Sequence, residues 1–349
     1  MVSVPHVNSE DRIMLERDEG KLKVGLVGFG KMGMLHAGIL NFLPEVKLAA
    51  ICEKSGLIRK FLKKVFKDVK ILDEVDRLSS FDLDAVYVTT PIGSHFPVVK
   101  SLYENGVTRN LFVEKTLASN FDEARKLCEF AQEFGGVNMT GYMRRFCVTF
   151  MKAKGLLSER VIGKPLSFKA YAYSSDFFGI DGCSKVKTPV VGVLRDLGCH
   201  ALDLALWFFG DLKVTDVRLK SVLNNSSIDS AYLRVEASSG LVGEFSVSWC
   251  VSGYRIPEVG FVIEGSEGCL TVNDDKLELN MKDGSTHRWF RHDLDDRVDF
   301  WLGSPEYYRE DECFVEAVVH GRSVEPSFEA AAKVDGLIDE VLAGAGQLG

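Results

Sequence analysis

The stretch KVGLVGFGKMGMLHA, Lys23–Ala37, decides how this chain is read. An apolar run, Lys23–Val27, enters the turn Gly28-Phe29-Gly30-Lys31-Met32-Gly33 and leaves as a helix over Met32–Phe42 that stops near Pro44. Each glycine has a steric task. Gly28 makes the tight turn, Gly30 removes a side chain where backbone must approach a pyrophosphate, and Gly33 lets helix pack on strand. The amides and partial positive charge of the helix start then favour phosphate. A lone G-x-G-x-x-G is weak evidence, because glycine-rich turns are common. Its place between strand and helix, opening an α/β series, makes dinucleotide binding the expected role of Gly28, Phe29, Gly30, Lys31, Met32 and Gly33.

The next strand, Val46–Cys52, ends at Glu53, 20 residues beyond Gly33. A carboxylate there accepts hydrogen bonds from ribose hydroxyls and repels a 2′-phosphate, so NAD is expected over NADP. Lys54 and Ser55 follow directly and could serve a 2′-phosphate, which leaves NADP open.

Outward from this turn, short apolar runs alternate with amphipathic segments. Strands are expected at Val69–Leu72, Ala85–Thr89, Leu111–Glu114 and Val137–Thr140, with helices around Ile58–Phe66, His95–Glu104 and Phe121–Phe134. Near-continuous β-branched runs such as AVYV suit strands buried on both faces of a parallel sheet. Residues 21–145 thus read as a Rossmann-type doubly wound domain, preceded by a polar, flexible extension over 1–20. After Phe146 the rhythm changes. A helix near Thr149–Ser158 leads to PLSFKAYAYSS, where Leu166, Phe168, Ala170 and Ala172 share one face of a half-buried strand. A helix over Asp196–Phe209 follows, then strands at Val214–Val222, Ala231–Ala237, Leu241–Cys250, Glu258–Glu264 and Cys269–Val272. Two helices, Glu306–Val319 and Phe328–Ala343, come last. Residues 146–349 read as an α+β domain with a large, mainly antiparallel, open-faced sheet.

Composition agrees. A chain of 349 residues exceeds the usual single-core size, and 46% hydrophobic with 26% charged residues is a globular balance. The net charge of −8 offers no basic surplus for nucleic acid or an acidic membrane. Cys52, Cys128, Cys147, Cys183, Cys199, Cys250, Cys269 and Cys313 are scattered without a C-x-x-C pair, as expected of reduced thiols rather than a zinc site or disulfide framework. Residues 1–20 lack the apolar run of a signal peptide, and the richest apolar stretch, Ala201–Phe209, is too short to span a bilayer. A soluble, cytoplasmic protein is expected.

Several segments, in order, resemble the glucose–fructose oxidoreductase/inositol dehydrogenase/MocA-type (Gfo/Idh/MocA) family of NAD(P)-dependent oxidoreductases. They are VGLVGFGKMGMLHA (Val24–Ala37), DAVYVTTPIGSHFPVV (Asp84–Val99), FVEKTLASN (Phe112–Asn120) and VVGVLRDLGCHALDLALWFFG (Val190–Gly210). The tail Phe314–Val341 is similar to the family's last two helices, so the resemblance spans roughly Leu22–Ala345. It implies that Thr90, Pro91, His95 and Glu114 border the cofactor, and that Lys115 is the catalytic lysine of an E-K-P block. It further implies that Asp196 and His200 complete the site, with a sugar, cyclitol or nucleotide-sugar as substrate and a homodimer or homotetramer as assembly.

The chemistry explains these residue types. Oxidising an alcohol to a ketone requires its proton to leave, so a base must touch that oxygen. His200 titrates near neutrality and can be that base. A Lys115 ammonium beside the same oxygen stabilises developing negative charge and orients the substrate. Asp196 and His200, four residues apart, project from one helix face, so the carboxylate is expected to support the charge that His200 acquires. Arg145, leaving the nucleotide domain, is the arginine expected to face substrate, against the alternative of a domain-interface salt bridge. Asp203 reads as a helix-face acid, His36 as packing, Trp207, Phe208 and Phe209 as core, and Lys185, Lys187 and Arg195 as a solvated loop. No metal is expected.

Two positions depart from the family pattern. Its proline is Thr116 here, and in relatives the Lys-Pro peptide is often cis, which aims the lysine. A cis bond before threonine costs about 3 kcal/mol more than trans, so a different backbone path for Lys115 is expected. The asparagine after T-P is Ile92. From another class, a non-catalytic dinucleotide sensor would use the same fold, but it has no need of Lys115, Asp196 and His200 together. Lyase or glycosidase chemistry with cofactor recycling is a further reading that product analysis separates.

Overall fold

The structure, a computed structural model, describes residues 20–178, 192–222, 228–300 and 303–345. Most of the extension over 1–20, the later part of the Tyr173–Thr188 loop, and Lys185 and Lys187 lie outside the described residues.

The expected alternation builds the first layer. β1 (Leu22–Val27), α1 (Lys31–Phe42), β2 (Val46–Cys52), α2 (Gly56–Val65) and β3 (Lys70–Leu72) form one half. β4 (Ala85–Val88), α3 (His95–Glu104), β5 (Leu111–Glu114), α4 (Phe121–Phe134) and β6 (Asn138–Gly141) form the other. The sheet runs β3-β2-β1-β4-β5-β6 with all pairings parallel. Its order reverses between β1 and β4, the switch point where such sheets bind ligands. Every residue of β4 and β5 is buried, which accounts for their unbroken apolar runs.

The second layer contains α5 (Val148–Ser158), β7 (Pro165–Tyr173) and α6 (Cys199–Phe209). Six consecutive strands follow, β8 (Leu212–Lys220), β9 (Ser230–Ala237), β10 (Val242–Ser248), β11 (Glu258–Gly265), β12 (Gly268–Asn273) and β13 (Lys276–Met281), and then β14 (Thr286–Phe290). They make one eight-stranded sheet, β14-β13-β12-β11-β7-β10-β9-β8. Only β7 and β10 pair in parallel. β13 and β14 extend the sheet beyond the strands expected from sequence. β14 is the polar, mostly exposed edge strand, while β13 lies inside it between β12 and β14 and alternates buried Leu277 and Leu279 with Lys276 and Glu278.

Phe168, Phe245 and Phe261 project from the sheet toward α6, where Phe168 stacks on Phe209 at 4.7 Å. The last helices, α7 (Glu306–His320) and α8 (Phe328–Ala345), tie the layers together. Phe314 of α7 packs edge-on against Tyr87 and Phe112 of the first sheet, at 5.4 and 5.7 Å. α7 thus shares a core with β1, α1 and β4 although it lies far along the chain. α8 lies against α4, α6 and β8.

Candidate active site

The glycine turn is shaped by three separate contacts. Gly28 sits at φ +92°, and a Cβ there would lie 2.8 Å from Thr90 Cγ2. A Cβ on Gly33 would lie 2.2 Å from the Gly28 carbonyl, so close packing of α1 on β1 demands glycine. At Gly30 nothing lies within 4 Å of a Cβ position, so packing alone does not require glycine. α1 begins at Gly30 without a side-chain cap or an acidic residue in its first turn. Open space and uncapped amides at a helix start fit a dinucleotide pyrophosphate. Thr89, not singled out from sequence, fixes the turn: its hydroxyl donates to the Gly28 carbonyl at 2.7 Å.

Glu53 stands where the spacing predicts, at the end of β2. Its carboxylate accepts the Phe29 and Ser55 amides, both at 2.7 Å, which draws the acid against the phosphate turn. Arg59 donates to the Glu53 and Lys54 carbonyls at 2.8 and 2.7 Å, bracing the same loop. Lys31 and Lys54 are exposed nearby, and Met32 is half-buried.

His95 is fully buried and joins two strand ends. Its Nε2 lies 2.7 Å from the Thr90 carbonyl and its Nδ1 2.8 Å from the Thr116 carbonyl. It holds the Thr90-Pro91 corner against the Lys115 turn. Thr90 Oγ1 is buried there without a protein hydrogen-bond partner among the described residues. The Lys115–Thr116 peptide is cis, which corrects the expectation of a different backbone path at this departure from proline.

Lys115 leaves β5 and reaches the helix entry of the second layer, where Nζ donates to the Asp196 carbonyl at 2.5 Å and lies 3.5 Å from its Oδ1. Burial works against the ammonium. Cys199, Asp196 and Glu114 outweigh it and raise Lys115 above the ordinary lysine value. The Cys199 thiol is itself pushed up to about 12 by burial.

His200 lies in the first turn of α6, 7% exposed, with Nδ1 lacking a protein partner among the described residues. Burial first, then the positive charges of Arg144 and Lys115, hold it well below the ordinary histidine value. It is therefore neutral at pH 7 and able to accept a proton. Tyr142 meets its ring edge-on at 6.3 Å.

Three expectations about these groups need correction. Asp196 supports Lys115 rather than His200: Leu194–Gly198 is a π-helical turn, so residues four apart no longer stack on one face. Arg145 is tied into a salt bridge. Its guanidinium forks onto Asp203, at 2.7 to 3.1 Å, with Glu325 at 3.5 Å, the salt-bridge alternative. The cation acting on His200 is its neighbour Arg144, anchored to Asp274 at 2.9 Å. Arg195 is buried, not solvated, and pairs with Asp335 and Asp339 of α8.

Glu114, expected to border the cofactor, is buried at the end of β5. Both oxygens are engaged within the protein: Oε1 lies 3.0 Å from His36 Nε2, and Oε2 accepts the Lys115 amide at 3.1 Å. His36 Nδ1 meets Asp311 at 2.8 Å. Sequence reading missed this set because His36 and Asp311 are 275 residues apart. A histidine on the sheet-facing side of α1 was the available signal.

Residues 22–142 match the model of an oxidoreductase family with an NAD-binding Rossmann fold, and 150–271 match the GFO/IDH/MocA C-terminal domain. The chain is 26% identical over 239 residues to scyllo-inositol 2-dehydrogenase (NAD(+)) of Bacillus subtilis, covering 66% of this chain and 68% of that one. It is 26% identical over 269 residues to inositol 2-dehydrogenase of Rubrobacter xylanophilus, covering 73% and 72%. Levoglucosan dehydrogenase, solved with NADH and L-sorbose, superposes with a TM-score of 0.83 at 20% identity, over 94% of this chain and 97% of that one, a likeness of fold.

Proposed function

Because the chain belongs to the Gfo/Idh/MocA family of NAD-binding oxidoreductases, we propose that it oxidises or forms a secondary alcohol on a sugar or cyclitol. One observation carries the reading. The cationic Lys115 and the neutral His200 come from different layers, yet the Lys115 charge acts on His200 at the carboxyl end of β5. NAD, when bound, supplies the hydride acceptor.

In this reading the chain's own groups do the rest. His200 takes the hydroxyl proton, a role its low proton affinity leaves it free to begin at neutral pH. The Lys115 ammonium, held by Asp196, stabilises the oxygen as negative charge develops. In the reverse direction the same pair returns the proton. Glu53 at the ribose position supports NAD over NADP, since its carboxylate repels a 2′-phosphate. Residues 21–145 hold the cofactor, while 146–349 supply the substrate wall and, through the open sheet face, a subunit contact. The inositol and levoglucosan dehydrogenase relatives support a polyol substrate. The free thiols of the described cysteines suit a cytoplasmic setting.

A crystal structure soaked with NAD⁺ and scyllo-inositol tests this directly. One cyclitol hydroxyl is expected within hydrogen-bond reach of both Lys115 Nζ and the His200 ring. Density for the cyclitol away from both side chains overturns the proposal.

A further inference from the structure

The buried chain Asp311–His36–Glu114–Lys115 crosses three elements. Asp311 belongs to α7, His36 to α1, and Glu114 to the end of β5. Asp311 brackets His36 Nδ1 at 2.8 and 2.9 Å, and Glu114 Oε1 lies 3.0 Å from Nε2. An imidazolium can donate to a carboxyl oxygen from each ring nitrogen, the arrangement that Asp311 and Glu114 offer. Burial opposes that charge, but Asp311 and then Glu114 outweigh it and raise His36 well above the ordinary histidine value. The second Glu114 oxygen accepts the Lys115 amide at 3.1 Å.

We infer that His36 is a positioning residue for Lys115: anchored by Asp311, it fixes the Glu114 carboxylate that orients the lysine backbone and keeps a negative charge beside its ammonium. The inference rests on the reading of Lys115 as the group that meets the alcohol oxygen. Stability alone does not call for such a set, because buried ion pairs are often replaced by apolar side chains at no loss. A carboxylate shared between a deep imidazolium and the lysine backbone serves the lysine. His36 also lies on α1, the helix whose start forms the phosphate turn, so cofactor seating and lysine placement share one rigid pin.

The groups facing each centre are few. Around His36 stand Asp311, Glu114, the Tyr87, Phe112 and Tyr307 rings, and Glu310, whose carboxyl is raised well above its ordinary value by burial first and is therefore neutral. Around Lys115 stand Asp196, Glu114, Cys199 and His200.

Trace labelling of the full chain with acetic anhydride across pH, read at Lys115 by peptide mass spectrometry, tests the inference without turnover. Glu114→Gln removes the charge while keeping the shape. Labelling of Lys115 near pH 8 is expected to rise by about tenfold, the effect of losing one close opposite charge. His36→Gln is expected to act in the same direction, because a buried Glu114 without its imidazolium takes up a proton. Unchanged Lys115 labelling in variants that still bind NAD⁺ overturns the inference. Should neither variant fold, the wild-type curve decides: titration at or above the ordinary lysine value supports it, and titration below contradicts it. Failure of the catalytic reading shows instead in the turnover of a Lys115→Met variant, so the two failures are separable.

Discussion

The Lys115 ammonium and Asp196 meet between the layers, with Nζ donating to the Asp196 carbonyl at 2.5 Å and its carboxylate 3.5 Å away. The contact ties the end of β5 to the turn entering α6, joining two residues 81 apart in sequence. Lys115→Met removes the charge but keeps much of the bulk. It is expected to lower kcat by roughly 10²–10⁴-fold, the usual scale for a proton-handling group, while NAD⁺ still quenches protein fluorescence. Retained kcat in this variant contradicts a role at the oxygen.

The pH dependence follows from His200. Only its neutral form accepts a proton, and burial, Arg144 and Lys115 hold its value well below 6.5. Alcohol oxidation, as kcat/KM, is therefore expected to fall on the acid side with a midpoint below 6.5. Arg144→Met removes one of the cations, making protonation easier, so the limb moves upward. A limb that persists unshifted in His200→Asn assigns the base elsewhere.

His36 makes the opposite contribution to stability. Its folded value is raised, so the stabilisation is fully present below the unfolded value of about 6.5 and is lost as pH rises through the folded one. His36→Gln leaves two buried carboxylates without their imidazolium and is expected to cost about 3–5 kcal/mol. In urea unfolding the gap to wild type is expected to narrow by up to about 1.4 kcal/mol per pH unit above 6.5. A gap independent of pH means that His36 is not charged in the folded chain.

The glycines separate folding from binding. A Cβ at Gly33 would sit 2.2 Å from the Gly28 carbonyl, so Gly33→Ala is expected to lower both the melting temperature and NAD⁺ affinity. A Cβ at Gly30 would meet nothing within 4 Å among the described residues, so Gly30→Ala is expected to leave the melting temperature alone while weakening NAD⁺ by about tenfold or more, roughly 1.4 kcal/mol. Calorimetry of the two variants checks both. Equal NAD⁺ affinity in Gly30→Ala and wild type places the pyrophosphate elsewhere.

The first layer was legible because β1, β2, β4 and β5 are largely buried apolar runs closed by turns, and because Gly28, Gly30 and Gly33 fall at the spacing of a strand-to-helix phosphate turn. Lys115, Asp196 and His200 were legible as residue types at the right spacing, but their pairing was not. One wider turn at Leu194–Gly198 moved Asp196 from His200 to Lys115, and nothing in local periodicity announces such a turn. Arg144 and Arg145 are adjacent, and which one pairs with Asp203 depends on the docked layers. Asp311, Asp335 and Asp339 lie on the last helices, so their partners become visible only once α7 and α8 return to the first layer and α6. β14 escaped notice because an edge strand needs little apolar alternation, whereas β13 carries the alternating Leu277 and Leu279 that the sequence reading passed over.

The central claim is that Lys115 and His200 act together on an alcohol oxygen beside bound NAD. Its most direct measurement is NADH formation by the purified chain with scyllo-inositol, myo-inositol and a panel of pyranose sugars, run beside Lys115→Met and His200→Asn. The account predicts an absorbance rise with at least one polyol that disappears in each variant while NAD⁺ binding survives. Undiminished oxidation in either variant, or firm NAD⁺ binding with no turnover of any alcohol, would contradict it.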